Sequence, residues 1–394
     1  MKEKTKSILY ISYDGIMEPL GRSQVLSYLE NLSDEFSINL LTFEKKSDLA
    51  TRESLDDIKE VCKEANIKWS YCTYHKDPTL IATIYDILIG FIKALYFSIW
   101  RGVNIVHIRS YIPGLMILPI VILLRKKLIF DMRGMWADEK ADRGGWDREG
   151  RVYKFFKILE ELLLKQSDHV ITLTDESIKL LNSSYDLEEG KFTKIPTCVD
   201  TSLFKLKSVE KNSTIVFGHL GSVDTAYDID PILLLLKKVS KFASARINFI
   251  NRGSHEFIKE RCAELKVDKN LVSIKSADRE SLANQISEIS IGCFFAKENL
   301  SIKASMPTKI GEFLSCGKPI LCNSFNQDIC ELINNNQIGM LCDFSNLRDG
   351  NDTYQEIRSL LNSSSLESNC QNLSNNFFSL RTGVASYRKI YNSL

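Results

Sequence analysis

The densest run of groups that could do chemistry lies between residues 294 and 319. Phe294-Phe295-Ala296-Lys297 closes an apolar stretch, and Ser301-Ile302-Lys303-Ala304-Ser305-Met306-Pro307-Thr308-Lys309-Ile310-Gly311-Glu312 follows it. Pro307 presets the backbone for a helix opening at Thr308. The free N–H groups and the positive dipole end of such a helix attract anions. Lys303 and Lys309 add cations, so the segment suits a diphosphate. Glu312 sits in the first turns of the same helix, where its carboxylate can accept two ribose hydroxyls. Gly317 is placed to stop the helix, and Pro319 precedes the next apolar run. A surface helix with incidental charge explains this less well, because strand, basic loop, helix, glycine stop and strand follow in a specific order.

Three other loops follow apolar runs. Gly218-His219-Leu220-Gly221-Ser222 has glycines that let backbone approach a diphosphate, and Arg252 lies after the next strand of that half. Tyr13 to Gln24 contains Gly21 for close backbone approach and Ser23 as a helix cap; an ordinary strand-to-helix turn fits equally. His107, Arg109, Asp131, Arg133 and Trp136 end two further runs. A tryptophan ring stacks on a pyranose, and Arg and Asp fix hydroxyls, so this group suits a sugar. His107 as a satisfied interior histidine, and Asp131 with Arg133 as a structural ion pair, remain open at this point. The chain has no G-x-G-x-x-G after its first strand, which disfavours a dinucleotide-dependent dehydrogenase.

The elements that position these loops alternate. Strand-like runs at 7–13, 38–43, 104–109, 127–132, 169–174 and 192–196 are separated by helical stretches at 23–32, 54–64, 80–100, 114–124, 151–166 and 176–181, with Asp175 as a cap for the last. After a polar break at 196–213, strands at 213–217, 246–250, 272–275, 291–295, 319–322 and 340–342 alternate with helices at 231–242, 256–265, 280–287, 308–316, 328–334 and 354–361. Strand–helix alternation means parallel sheets covered on both faces, with ligands at the carboxyl ends of the strands. The expected domains are 1–200 and 201–380, with a helix over 381–394 packing back on the body.

At these residues the chain resembles glycosyltransferase family 4, in the branch found in surface-polysaccharide clusters. Ile195-Pro196-Thr197-Cys198-Val199-Asp200 resembles the family's linker strand, and Ser305 to Pro319 resembles its nucleotide-binding segment. Tyr13-Asp14-Gly15 with Pro19-Leu20-Gly21-Arg22-Ser23-Gln24 resembles the branch's first loop. The resemblance implies a GT-B fold, with two Rossmann-like domains facing a central cleft. It also implies retaining transfer from a nucleoside-diphosphate sugar, with a UDP-sugar as the expected donor, to a saccharide or lipid-linked saccharide. Lys309, Glu312, His107 and Arg133 are then the expected catalytic set. Gly21, Gly221, Ser222, Arg252, Lys303, Ser305, Pro307 and Thr308 join Lys309 and Glu312 around the donor, and Arg109, Asp131, Arg133 and Trp136 face acceptor or sugar. Leaving-group charge would be met by cations and helix amides, so no metal or other cofactor is expected. The chain departs from the family at Ala304, where many members carry a first glutamate eight positions before the one matching Glu312. An inactive scaffold of the same fold and a sugar-nucleotide epimerase are the competing readings.

Composition narrows the setting. Lys plus Arg (51) balance Asp plus Glu (50), which gives no general reason to bind nucleic acid. The ten cysteines include no Cys-x-x-Cys pair and no zinc spacing, and the first residues lack a signal peptide's apolar core, so a cytoplasmic location is expected. Residues 80–100 are apolar nearly all round, but Asp86 and Lys93 interrupt them. Each charge at a bilayer centre costs about 2.5–3.5 kcal/mol, so a buried or interfacial helix is favoured over a span. With the apolar run 116–124 and Arg125-Lys126-Lys127 it could make peripheral contact with the inner membrane face. A core helix with a solvated turn fits the same residues.

Overall fold

The computed structural model describes residues 6–187, 190–207, 213–223, 226–342 and 350–394. The chain divides into two compact units, residues 1–196 with 383–394, and residues 197–382. The final helix, Leu380–Ser393, thus carries the chain from the second unit back into the first.

In the first unit the strands are β1 (Ser7–Ser12), β2 (Ser37–Lys45), β3 (Lys68–Tyr74), β4 (Ile105–Arg109), β5 (Lys127–Asp131), β6 (His169–Thr172) and β7 (Phe192–Lys194). They form one parallel sheet in the order β3-β2-β1-β4-β5-β6-β7. β1 and β4 are almost wholly buried, as strands covered by helices on both faces must be. In-register pairing sets Ser12 beside Arg109 and Arg109 beside Asp131 at the carboxyl ends, and Tyr10 beside His107 one pleat earlier.

The second unit repeats the plan. β8 (Ile215–Leu220), β10 (Ala245–Ile250), β11 (Val272–Lys275), β12 (Ile291–Ala296), β13 (Ile320–Cys322) and β14 (Gly339–Leu341) form a parallel sheet in the order β11-β10-β8-β12-β13-β14. The short β9 (Tyr227–Asp228) pairs antiparallel to the end of β12. Its core is aliphatic and aromatic, centred on Phe217, Leu233, Phe249 and Ile291.

Several expectations from the sequence need correction. β3 and the helix Trp136–Asp142 were not foreseen; Lys68–Tyr74 contains none of the Val, Ile or Leu that mark most of the other strands. The stretch between the expected helices at 354–361 and 381–394, assigned to no element from the sequence, is helical over Leu366–Leu373, with Leu366, Cys370 and Leu373 turned inward. Ser23 caps nothing: the helix begins at Pro19, and Ser23 donates to Leu20 O at 3.2 Å. Thr174, not Asp175, caps the helix Asp175–Ser184, accepting from Ser177 N.

Candidate functional site

The nucleotide-binding candidates converge within the second unit. The segment before the helix Thr308–Ser315 is pinned from two sides. Asn326 donates to Lys303 O at 2.8 Å and Ser305 O at 3.0 Å, and Thr197 Oγ1 donates to Met306 O at 2.6 Å. Val199 packs so closely on the helix that a Cβ on Gly311 would lie 2.9 Å from it. The linker motif therefore braces the helix start, and Thr197 supplies the polar contact. Pro307 precedes the first helical residue as expected. Gly317, at φ +69°, ends the helix with Lys318 N donating to Phe313 O at 2.9 Å, a left-handed stop that glycine adopts without penalty.

Lys309 is the feature that distinguishes the site. It is 7% exposed, and its Nζ is buried with no hydrogen-bond partner among the described residues. The ammonium lies 3.6 Å from the centroid of the Tyr227 ring and 5.9 Å from that of Phe294. A Cβ built on Gly221, at φ +87°, would stand 4.0 Å from it. Burial pulls the Lys309 pKa down from 10.5 to about 7, with Glu312 pulling the other way. A buried amine with no acceptor is costly, and here it faces the loop that follows β8. His219 sits between Cys293 O (3.0 Å from Nδ1) and Ser222 O (3.1 Å from Nε2) and donates to one of them, and burial, then Lys309, lowers its pKa to about 3. The ring is accordingly neutral.

The other donor candidates surround this point unevenly. Gly221 N–H is already committed to Ile250 O at 3.0 Å, and its carbonyl accepts from Asn251 at 2.9 Å, so Gly221 offers close approach rather than a free amide. Ser305, Thr308 and Glu312 are half-buried around the helix start, and Lys303 is exposed in the preceding turn. Arg252 is exposed beyond β10. Ala304 is wholly buried, so the position of the family's first glutamate is a packing position in this chain. Gly21 belongs to the first unit. It is helical at φ −63°, and a Cβ there would come 1.9 Å from Gly15 O. The loop amides of Ile16 and Met17 donate to the buried Glu44 carboxylate at 2.9 and 3.2 Å, so the protein itself fills that anion position.

The remaining candidates form a second cluster at the carboxyl ends of β4 and β5. Asp131 is fully buried, with Arg133 Nε at 2.7 Å, Arg109 at 3.8 Å and His107 Nε2 at 3.6 Å. Burial alone would raise its carboxyl, but the Arg133 guanidinium and the His107 ring beside it outweigh this and hold it well below the usual carboxylate range. Two tyrosines of the final helix complete the network. Tyr387 OH donates to Asp131 at 2.6 Å and accepts from Arg133, and Tyr391 OH lies 2.7 Å from His107 Nδ1. Burial lowers the His107 pKa, keeping the imidazole neutral. Arg133 takes a left-handed backbone at φ +57°, uncommon for a non-glycine residue, and its Nη1 has no hydrogen-bond partner among the described residues. Trp136 packs edge-on against Trp146 and Phe156, with ring centroids 5.1 and 4.9 Å away. It is part of an aromatic cluster rather than a free-standing platform. The sequence reading missed Tyr227, Asn326, Tyr387 and Tyr391. Their partners are distant in the chain, and only the inward spacing of the two tyrosines along one helix hinted at a role.

Among the described residues no three His, Cys, Asp or Glu side chains converge as a metal ligand set. Residues 54–203 match the family model described as Glycosyltransferase Family 4. No curated protein sequence matches the chain. Among solved structures, a glycosyltransferase from Rickettsia africae superposes with a TM-score of 0.72 at 16% identity, covering 99% of both chains. Sucrose-phosphate synthase from Thermosynechococcus elongatus gives 0.70 at 12% identity over 98% of each chain. Anabaena HepE, solved in complex with UDP and glucose, gives 0.69 at 11% identity over 99% of this chain and 100% of its own.

Proposed function

We propose that this chain, which has the GT-B fold and matches the Glycosyltransferase Family 4 model over residues 54–203, moves a sugar from a nucleoside-diphosphate sugar, with retention, to a saccharide or lipid-linked saccharide of a cell-surface polysaccharide. The observation that carries this reading is Lys309, an ammonium kept dry and without an acceptor beside Gly221 at the start of a helix. A diphosphate seated there gains a charge-assisted hydrogen bond and the helix dipole, both strengthened by burial. Glu312, one turn along, is the ribose acceptor in this reading. As the bond from anomeric carbon to diphosphate breaks, Lys309 and the helix amides stabilise the developing charge without a metal. HepE was solved with UDP, which favours a UDP-sugar. An acceptor carried on a lipid would bring the enzyme to the cytoplasmic face of a membrane.

The test is a thermal-shift panel of nucleoside diphosphates and their sugars on the wild type, Lys309→Ala and Glu312→Ala. A ligand at about a hundred times its dissociation constant adds roughly 2.7 kcal/mol of stability. Stabilisation of the wild type by UDP, lost in both variants, supports the site. A wild type that no member of the panel stabilises would overturn it and leave an inactive scaffold. Turnover without an acceptor would point to an epimerase.

A further inference from the structure

The helix Thr79–Trp100 is 22 residues long, about 33 Å at the usual rise. Ala82, Asp86, Gly90, Ala94 and Phe97 form its buried stripe. The two charges that interrupt its apolar sequence both turn inward. Asp86 is 0% exposed and accepts from Tyr13 OH at 3.0 Å and from His75 N at 3.0 Å, with His75 Nδ1 at 2.6 Å. Lys93 donates to Tyr71 O at 2.7 Å. What remains outside is an uncharged apolar stripe of Ile81, Ile84, Leu88, Ile92 and Ile99, ending in Trp100 at 75% exposure.

The stripe has neighbours. Gly90 lets Met116 of the helix Tyr111–Leu124 pack against it, and Gly114 of that helix takes Leu163 of the helix Arg151–Gln166. Consecutive parallel crossovers are right-handed, which lays the three helices side by side on one face of the sheet. The second helix adds Ile122 and Leu123, the latter 78% exposed, and the third adds Val152, Phe155 and Ile158. Contiguous apolar surface on this scale marks an interaction site.

Charge identifies the occupant. From residue 79 to residue 127 the only acidic residue is the buried Asp86. Arg101 and Arg125 are exposed at the carboxyl ends of the first two helices. The face is thus apolar, with cations and no exposed carboxylate along those two helices, and Trp100 stands beside Arg101. That is the pattern of a surface lying in the interface of an anionic bilayer. Lys126 and Lys127 contribute less than their sequence suggests, since one donates to Val103 O at 2.8 Å and the other pairs with Asp168 at 2.7 Å. We infer that this three-helix face docks the first unit flat on an anionic lipid surface, chiefly by apolar insertion, with Arg101 and Arg125 choosing anionic headgroups. The helix does not cross the bilayer, because its buried stripe belongs to the unit's own core. The inference does not depend on the transfer reaction proposed above.

The test is flotation of the purified full-length chain with vesicles of phosphatidylcholine, alone or mixed with phosphatidylglycerol, at low and high salt. The wild type should float with the mixed vesicles and stay bound at high salt. Leu88→Glu with Ile92→Glu should lower partitioning by about tenfold or more, with an unchanged melting midpoint and unchanged stabilisation by UDP. Arg101→Glu with Arg125→Glu should remove only the preference for phosphatidylglycerol. Brominated lipid should quench tryptophan emission in the wild type and not in Trp100→Phe. Four results would overturn the inference: no flotation of the wild type, flotation untouched by the double glutamate variant, carbonate-resistant insertion of a spanning helix, or a solution dimer that the same variant dissociates. UDP stabilisation persisting without flotation would refute this surface and leave the donor site standing.

Discussion

Replacing Lys309 by methionine separates a binding lysine from a packing one. Methionine keeps the aliphatic stem against Tyr227 and Phe294 and removes only the amine. The fall of the Lys309 pKa from 10.5 to about 7 corresponds to roughly 5 kcal/mol against the buried charge, and the Tyr227 face returns about 1–2 kcal/mol of it. The ligand-free variant should therefore be more stable than the wild type at pH 7, by roughly 3 kcal/mol at most. Because the pKa is lowered on folding, the unfolded chain holds the Lys309 proton between about pH 7 and pH 10.5 while the folded chain does not. Wild-type stability must then rise with pH across that window. Relative to the variant, the wild type should recover about 2 kcal/mol between pH 7 and pH 9. UDP affinity should behave oppositely, weakening above pH 7 in the wild type as the diphosphate must first recharge the amine. Urea unfolding of both proteins at the two pH values, with UDP titrations alongside, provides the measurements. A variant clearly less stable than the wild type at pH 7, or one that binds UDP equally well, would refute the reasoning.

Glu312→Gln should lose about 1–3 kcal/mol of UDP affinity, while its affinity for inorganic pyrophosphate, which has no ribose, changes much less; calorimetric titration of both ligands checks it. Tyr387→Phe removes a donor from the buried Asp131 and an acceptor from Arg133, so unfolding in urea should show a loss of about 1–3 kcal/mol. Gly21→Ala forces a Cβ to within 1.9 Å of Gly15 O; the melting curve should show a loss of about 1–3 kcal/mol or more from overpacking, and an unchanged melting temperature would contradict the close approach.

How much was legible in the residues follows from how local each signal is. The alternation of strands and helices, the helix opening at Thr308 and the stop at Gly317 depend on neighbours a few positions away, and the structure has them where the pattern put them. The segment 301–319 reads as a candidate anion site because cations, proline and glycine occur there in order along the chain. What the chain order could not convey is burial and partnership. Lys309 reads as a diphosphate cation with no sign of its burial until the sheet brings Tyr227 and Gly221 against it. His107, Asp131 and Arg133 fit a sugar site, an interior histidine or a structural ion pair equally until a helix more than 250 residues later supplies Tyr387 and Tyr391. Asp86 and Lys93 argued in the sequence against a membrane span and left an interfacial helix and a core helix both open, and only the packing of their helix turned both charges inward and left an apolar face outside. Local propensity and hydrophobic period act over one or two turns of chain, so they determined the elements. Which side chains lose water, and against what, is decided when elements distant in sequence pack together.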